Sequence, residues 1–238
     1  MRAAIFGANG GIGRALCQEL LKDPVTDAVY AVARSIHHEG VDPRFVPIHA
    51  DVTDETPLAR AADLIREIGP LDLVIVASGI LSDGDALKPE KSYRDQSMSA
   101  FTKVFGANTF GPAMVAKHFL PLLRKRAPSK FAVLSARVGS ITDNQLGGWH
   151  AYRASKAALN MLVRNYALEL GRRNDQAVCV SLHPGTVATK LSAPFTDGTK
   201  RELFTPELAA RQLLDVVGAL DAESSGKHFD WAGQEIPA

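Results

Sequence analysis

Tyr152 and Lys156 lie four residues apart in a segment, Ala151 to Asn160, that has the pattern of an amphipathic helix. Residues at positions i and i+4 share one helix face, so the phenol and the ammonium can face the same point. A neighbouring cation favours the phenolate and lowers the pKa of the phenol, which can then exchange a proton with a substrate oxygen. The alternative is a Tyr packed on the core beside an exposed Lys.

A glycine-rich turn, Gly7-Ala-Asn-Gly-Gly-Ile-Gly13, stands near the start of the chain between a short apolar strand and an amphipathic helix. Glycines permit a tight turn and let the backbone approach a pyrophosphate closely. The helix N-terminus that follows offers unpaired N–H groups and a favourable dipole to phosphates. Such a turn alone often only connects two elements. Its place between a strand and a helix favours a dinucleotide site.

The composition is that of an ordinary globular protein. The 238 residues suit one domain, residues 1–238, with a sizeable core. A net charge of +1, from 27 basic and 26 acidic residues, gives no reason to expect nucleic acid or a membrane as partner. Cys17 and Cys179 give no disulfide framework and are expected to be buried. With a first strand from near Arg2 and no long apolar run, we expect no signal peptide and a cytoplasmic location.

Apolar strands alternate with helical patterns along the whole chain. We expect strands at Ala3–Phe6, Ala28–Ala33, Phe45–His49, Leu71–Val76, Phe131–Ser135, Val178–His183 and His228–Trp231. We expect helices at Ile12–Lys22, Pro57–Ile68, Ser99–Leu123, Tyr152–Leu170 and Pro206–Leu220. This alternation predicts an α/β fold with a doubly wound parallel sheet of about seven strands and helices on both faces. Ligands then bind beyond the carboxyl ends of the strands.

These motifs together resemble the classical short-chain dehydrogenase/reductase family. The glycine spacing is that of the family, and the Tyr–Lys pair follows in the family's order. The run Gly139–Gly148 leading to Tyr152 is particularly similar to the C-factor/sniffer-like carbonyl reductase branch. The resemblance covers nearly the whole chain. It implies a Rossmann-type enzyme that reduces an aldehyde or ketone with NADP(H), in which Tyr152 donates the proton and Lys156 tunes it and holds the cofactor ribose.

The resemblance also implies a cofactor site assembled from loops that follow the strands. Its expected members are Gly7, Asn9, Gly10, Gly11, Ile12, Gly13, Arg34, Ser35, Asp51, Val52, Ala77, Ser78, Gly79, Tyr152, Lys156, Pro184, Gly185, Val187 and Thr189. No metal site is indicated. Two of these loops have simpler alternatives, since Asp51 could cap a helix that starts near Thr53 or Thr56, and Pro184-Gly185 could be a plain turn. Before Gly79, the chain has Val76-Ala77-Ser78 where the family usually has Asn-Asn-Ala.

Arg34 and Ser35 follow the second predicted strand, at a place where an acidic residue would bind the ribose hydroxyls of NAD. The Arg34 guanidinium instead suits the 2′-phosphate of NADP(H), to which the Ser35 hydroxyl could add a hydrogen bond. A solvated Arg at a strand end is the simpler alternative. We therefore expect NADP(H) to be preferred, with NAD(H) still usable.

Asn108 matches the Asn that the family carries on its long helix. There the side chain holds a backbone distortion and a water molecule that links the Lys to solvent. The same Asn could instead lie on the surface. The family position is nevertheless the expected one, and Asn108 completes the predicted catalytic group.

The family's catalytic Ser is absent from its usual place, three residues before the Gly of Ser-Ser-x-x-Gly, where this chain has Ala136. Ser135 lies one residue earlier and could face another way, because side chains alternate along a strand. Ser140 lies one residue after Gly139. Either hydroxyl could serve as the catalytic one, or Tyr152 could be the only strong donor to the substrate oxygen.

A short polar segment near residues 190–205 corresponds to the family's substrate lid, and Leu146, Trp149 and Phe195 could give it an apolar wall. The resemblance implies a small carbonyl or alcohol substrate and a homodimer or homotetramer. Two other functions stay open. The first is a cofactor-binding signalling or redox-sensing protein with little turnover. The second is a purely structural homologue, which the presence of Tyr152, Lys156 and Asn108 disfavours.

Overall fold

A seven-stranded, fully parallel sheet forms the centre of the protein, as the sequence predicts. The computed structural model describes residues 1–36, 42–196 and 202–238. The sheet order is β3-β2-β1-β4-β5-β6-β9. Its strands are β1 Arg2–Phe6, β2 Ala28–Ala33, β3 Phe45–His49, β4 Leu73–Val76, β5 Ser129–Leu134, β6 Ala177–His183 and β9 His228–Asp230. A separate parallel pair, β7 Thr186–Val187 and β8 Leu203–Phe204, was not predicted.

The central strands carry near-continuous apolar runs because helices cover both faces of the sheet. β1 pairs with β2 on one side and β4 on the other, and its residues Ala3 to Phe6 are buried. The helices are α1 Gly11–Lys22, α2 Glu55–Ile68, α3 Met98–Phe105, α4 Gly111–Phe119, α5 His150–Gly171 and α6 Pro206–Ala219. α1 and α6 pack on one face, and α2, α4 and α5 on the other. Cys17 and Cys179 are buried within these two layers, as expected.

The helix predicted at Ser99–Leu123 is interrupted. α3 passes into a π-helical turn at Gly106–Phe110, then into α4, and a short 3₁₀ turn follows at Leu120–Leu122. A π-turn inserts an extra residue into a helix and is frequent at functional sites. Here it carries Asn108, which is fully buried.

Two other boundaries differ for local reasons. β4 begins at Leu73 rather than Leu71, because Leu71 pairs with Leu123 in an isolated bridge, while the carboxylate of Asp72 accepts a hydrogen bond from the N–H of Arg2 at 2.8 Å. α2 begins at Glu55 rather than Pro57, because the Asp54 side chain caps it. Neither shift moves the carboxyl ends of β1, β4, β5 and β6, which meet at one edge of the sheet.

Candidate active site

The glycine turn is built so that three of its glycines cannot carry a side chain. Gly7 has φ +79°, and the N–H of Gly10 donates to the Gly7 carbonyl at 2.9 Å. A Cβ on Gly13 would overlap that same carbonyl oxygen. A Cβ on Gly11 would lie 2.8 Å from the Thr189 methyl carbon. The turn therefore packs directly against the start of α1 and against the loop after β7.

The turn also meets the loop after β4. A Cβ on Gly7 would lie 2.8 Å from the backbone nitrogen of Ser78, and the N–H of Ala77 donates to the Phe6 carbonyl at 2.8 Å. The structure thus brings together three segments that the sequence assigns to the cofactor: the glycine turn, Ala77-Ser78-Gly79 and Thr189. Pro184 and Gly185 follow β6 in the same region, where Gly185 has φ +78° and packs on the Phe204 ring.

The N-terminus of α1 fits the phosphates of a dinucleotide. Gly10 precedes the helix, and no side chain caps it. Gly10 and Gly11 are exposed and Ile12 is partly so, so the first backbone N–H groups face outward with room for an anion. These residues therefore suit a pyrophosphate.

Arg34 and Ser35 lie at the margin of this region and are both exposed. The Asn9 amide donates to the Ser35 hydroxyl at 3.4 Å, which ties the turn to the end of β2. Asp51 accepts hydrogen bonds from the N–H and the hydroxyl of Thr53 at 2.9 and 2.8 Å, so it forms a local turn while Asp54 caps α2. Its neighbour Val52 packs against Gly111 at the start of α4.

Tyr152 and Lys156 share one face of α5, as their spacing predicts. The Lys156 Nζ lies 5.8 Å from the centroid of the Tyr152 ring and donates a hydrogen bond to the Leu134 carbonyl at 2.7 Å. The Lys156 side chain is buried, and Tyr152 is partly buried. The Leu134 bond anchors the ammonium at the carboxyl end of β5.

The pKa values of this pair correct the expectation drawn from the sequence. Burial raises the pKa of Tyr152 to about 12 and lowers the pKa of Lys156 to about 8. Desolvation disfavours the charged form of each group and is the cause of both shifts. Tyr152 is therefore a neutral phenol, which can donate a proton.

Asn108 faces the same point from the π-turn. Its amide nitrogen donates to the Ser155 hydroxyl at 3.1 Å, and its oxygen lies 3.2 Å from where a Cβ on Gly79 would stand. The Lys156 Nζ lies 3.6 Å from that same position. Asn108, Gly79 and Lys156 thus converge, and the lack of a side chain at Gly79 leaves the space between them open.

The two candidate serines have different surroundings. The Ser140 hydroxyl accepts a hydrogen bond from the Asp143 N–H at 3.0 Å and donates to an Ala238 oxygen at 3.5 Å. The Ser135 hydroxyl is buried and has no hydrogen-bond partner among the described residues. Phe131 and Val133 pack in the same core layer as α5, so strand alternation places the Ser135 hydroxyl on the face that α5 covers. Ala136, at the usual serine position, is buried and follows in extended conformation.

Two features of the site were missed from the sequence. The buried carboxylate of Glu90 accepts the N–H of Ala151 at 3.3 Å and so caps α5 from a distant loop. Asn160 lies one turn beyond Lys156, and its amide is 3.4 Å from Nδ1 of the buried His228. Burial lowers the pKa of His228 to about 3, so this imidazole is neutral. In the sequence, only the i+4 spacing from Lys156 to Asn160 could have indicated that Asn160 lies on the same helix face as Lys156.

The predicted lid is partly described. A 3₁₀ turn at Ala193–Phe195 and strand β8 belong to it, whereas residues 197–201 of the prediction lie outside the described residues. A cavity of about 560 Å³ lies elsewhere, between α4 and α5 near the amino ends of β5 and β6, on the opposite edge of the sheet. Within the described ranges, no helix has the length and apolar character needed to cross a membrane.

A parallel sheet with a glycine turn beside a Tyr–Lys–Asn group defines a Rossmann-type oxidoreductase. The family model described as short chain dehydrogenase matches residues 2–200. The chain belongs to this family of enzymes, and the resemblance noted from its motifs is confirmed.

Known proteins support the branch as well as the family. The chain is 38% identical to the C-signal protein of Myxococcus xanthus over 169 residues, which cover 71% of this chain and 93% of that protein. Its structure is similar to the NADPH-bound carbonyl reductase from chicken fatty liver, with 27% identity, a TM-score of 0.83, and 100% and 98% of the two chains covered. The carbonyl reductase Sniffer of D. melanogaster shares the fold, with 21% identity, a TM-score of 0.85, and 100% and 99% covered.

Proposed function

We propose that the protein reduces an aldehyde or ketone to an alcohol, with NADP(H) as cofactor and Tyr152 as the proton donor. The observation that carries this proposal is the convergence of Tyr152, Lys156 and Asn108 beside Gly79, at the edge where the glycine turn opens. The chemistry that a bound nicotinamide cofactor supplies here is the transfer of a hydride. Side chains of this protein carry out the remaining parts of the reaction, which are proton donation and the stabilisation of charge.

The neutral phenol of Tyr152 gives its proton to the substrate oxygen. Its raised pKa keeps the proton on the ring until negative charge develops on that oxygen. Lys156, whose pKa of about 8 leaves it charged at neutral pH, then stabilises the phenolate. Its bond to Leu134 holds the ammonium in place for that step.

Ser135 is the better candidate for the second hydroxyl at the substrate oxygen. Its buried hydroxyl has no partner among the described residues, whereas the Ser140 hydroxyl is already engaged with the Asp143 N–H and an Ala238 oxygen. An unpaired buried donor is costly, and a ligand oxygen would relieve that cost. Ser135 thus takes the role that Ala136 cannot fill.

Arg34 and Ser35 favour NADP(H) over NAD(H). Both are exposed at the margin of the turn, and Asn9 fixes Ser35 by its hydrogen bond. The NADPH found with the chicken carbonyl reductase supports the same preference. A planar guanidinium binds a phosphate through paired hydrogen bonds, which a ribose hydroxyl alone does not offer.

We further propose that two or four copies of the chain assemble through α4 and α5. Met161 and Leu168 are seven residues apart on α5 and are 62% and 50% exposed, and Phe110 at the start of α4 is 57% exposed. Exposed apolar side chains on neighbouring elements are typical of an interface between subunits. Light scattering of the purified protein measures the number of copies.

A second candidate function is that of a cofactor-binding signalling protein with little turnover. Two observations favour it: the similarity to C-signal, and the buried Ala136 at the usual serine position. Under this alternative the protein binds NADP(H) but reduces none of the simple carbonyls.

The test is NADPH consumption with a panel of aldehydes and ketones, read at the nicotinamide absorbance. Tyr152→Phe should lower turnover by about a hundredfold or more, because a general acid contributes that much, while NADPH affinity stays within about twofold. Tyr166→Phe, on the same helix, is the matched control and should keep its turnover. Full turnover in Tyr152→Phe would contradict the proposal. Tight NADPH binding without turnover in the unmodified protein would support the signalling alternative.

A further inference from the structure

The three residues directly before α5 have left-handed backbone conformations: Gly147 and Gly148 have φ 64°, and Trp149 has φ 50°. The conformation suits glycine, but it is unfavourable for a bulky aromatic residue. A third glycine would form the same turn without strain. We therefore infer that the strained backbone is kept because the indole of Trp149 is needed at this position. Backbone strain of this kind clusters at active sites and ligand clamps.

Four hydrogen bonds hold Trp149 and its neighbours in this conformation. Its N–H donates to the Glu90 carbonyl at 2.6 Å, and the carboxylate of the same Glu90 accepts the N–H of Ala151 at 3.3 Å. The Trp149 carbonyl in turn accepts the N–H of Arg153 at 2.8 Å. Arg153 also reaches back to the Gly147 carbonyl at 3.1 Å. The turn is thus fixed from both sides, so the direction in which the Trp149 side chain leaves the backbone is fixed too.

The indole stands between the phenol of the site and the lid. Its ring centroid is 6.2 Å from that of Tyr152, at an interplanar angle of 79°, and 5.2 Å from that of Phe195, at 60°. These are edge-to-face contacts. All three rings are partly exposed, so the corner they form is open to a ligand.

We propose that Trp149 and Phe195 form the wall against which the substituent of the substrate carbonyl packs, and that the preferred substrates are aryl aldehydes and aryl ketones. This inference rests on the proposed reductase function. A flat ring on the carbonyl carbon can pack on the indole while its oxygen reaches Tyr152, and it buries more apolar area than a short alkyl group.

The experiment compares kcat/KM for an aryl ketone, acetophenone, with kcat/KM for an alkyl ketone, 2-butanone. Trp149→Gly removes the indole and also relieves the strained backbone, so the variant should fold. It should lower the aryl-to-alkyl ratio by about tenfold or more, whereas Trp149→Phe should keep it within about threefold. Ile141→Ala, at a 78% exposed position in the same loop, is the control. An unchanged ratio in Trp149→Gly overturns the inference and leaves the reductase proposal standing.

A second readout does not depend on turnover. The chain has two tryptophans, so in a Trp231→Phe background the emission comes from Trp149. With NADPH present, which cannot oxidise an alcohol, 1-phenylethanol should change this emission saturably, whereas 2-butanol at the same concentration should not. That result in a protein that reduces no carbonyl would support the aromatic wall and contradict the reductase proposal. Equal responses to the two alcohols would overturn the inference that Trp149 and Phe195 bind an aryl substituent.

Discussion

Asn108 and Ile80 hold each other through two reciprocal hydrogen bonds. The N–H of Ile80 donates to the Asn108 side-chain oxygen at 2.7 Å, and the Asn108 amide nitrogen donates to the Ile80 carbonyl at 2.9 Å. This pairing resembles one rung of a β-ladder and joins the π-turn to the loop after β4. The same two hydrogen bonds therefore account for both the distortion of the helix and the position of the Asn108 amide in the site.

Asn108→Ala should lower both stability and turnover. It leaves the N–H and carbonyl of Ile80 and the hydroxyl of Ser155 with fewer partners in a buried place, which costs about 2–4 kcal/mol of unfolding free energy. Asn165→Ala, on the exposed face of α5, is the matched control and should change it by less than about 0.5 kcal/mol. Urea denaturation measures both. A small effect at Asn108 would show that the pairing with Ile80 is dispensable.

Arg34→Asp should move the cofactor preference toward NAD(H). Loss of a charge-assisted hydrogen bond and repulsion of the 2′-phosphate should weaken NADPH binding by about tenfold to a hundredfold, with little effect on NADH. Arg60→Asp on α2 makes the same change in net charge and serves as the control. Titrations of both cofactors give the dissociation constants. The assignment of Arg34 fails if the unmodified protein binds NADH as tightly as NADPH.

Ser135→Ala and Ser140→Ala should have opposite effects. The first removes an unpaired buried hydroxyl, so stability should hold while turnover falls by about one to three powers of ten. The second removes the acceptor of the Asp143 N–H, so stability should fall by about 1 kcal/mol while turnover changes little. Thermal unfolding and steady-state kinetics measure the two effects. Unchanged kinetics in the Ser135→Ala, Ser140→Ala double variant would refute a role for either serine and would leave Tyr152 as the only strong donor to the substrate oxygen.

Lys156→Met should change the pH dependence of stability. The pKa of Lys156 is about 8 in the folded protein against 10.5 for a free side chain, so the unfolded chain binds more protons between these values. The unfolding free energy of the unmodified protein should therefore rise with pH across this window, relative to the variant, by up to about 3 kcal/mol. All other titrating groups are common to both proteins and cancel in the difference.

Denaturation with urea at several pH values between about 7 and 10.5 measures this difference. Lys125→Met, at an exposed position, controls for the loss of one positive charge. A difference between Lys156→Met and the unmodified protein that does not vary with pH would show that Lys156 is not desolvated.

The sheet and its order of elements could be predicted because the strands are apolar on both faces and alternate with helical periodicity. The family resemblance implied a backbone distortion at Asn108, but the local sequence pattern did not predict it. Local sequence favours a continuous helix there, and the π-turn depends on hydrogen bonds to Ile80, which lies 28 residues away in the chain. The periodicity of apolar residues within a short stretch of sequence contains no information about a hydrogen-bond partner so far away in the chain.

The sequence predicted that the candidate residues lie close together, but it did not predict their electrostatics. The four-residue spacing placed Tyr152 and Lys156 on one helix face. The direction of the Tyr152 pKa shift, however, depends on burial, and the spacing carries no information about burial. The cap on α5 was equally out of reach, because Glu90 and Ala151 are 61 residues apart. The left-handed Trp149 has no sequence signature, since two glycines before it already suffice for a turn.

Gly7 packs on Ser78 and Gly11 packs on Thr189, so these two glycine positions are much harder to mutate than the exposed positions around them. Atoms added at either glycine would push apart two loops that belong to different strands, so this part of the site tolerates no stepwise change. Arg34, by contrast, is exposed at the margin and can be exchanged without disturbing those contacts. An engineer, or natural selection, could therefore exchange one cofactor for another while the glycine turn that we propose binds the shared pyrophosphate stays unchanged.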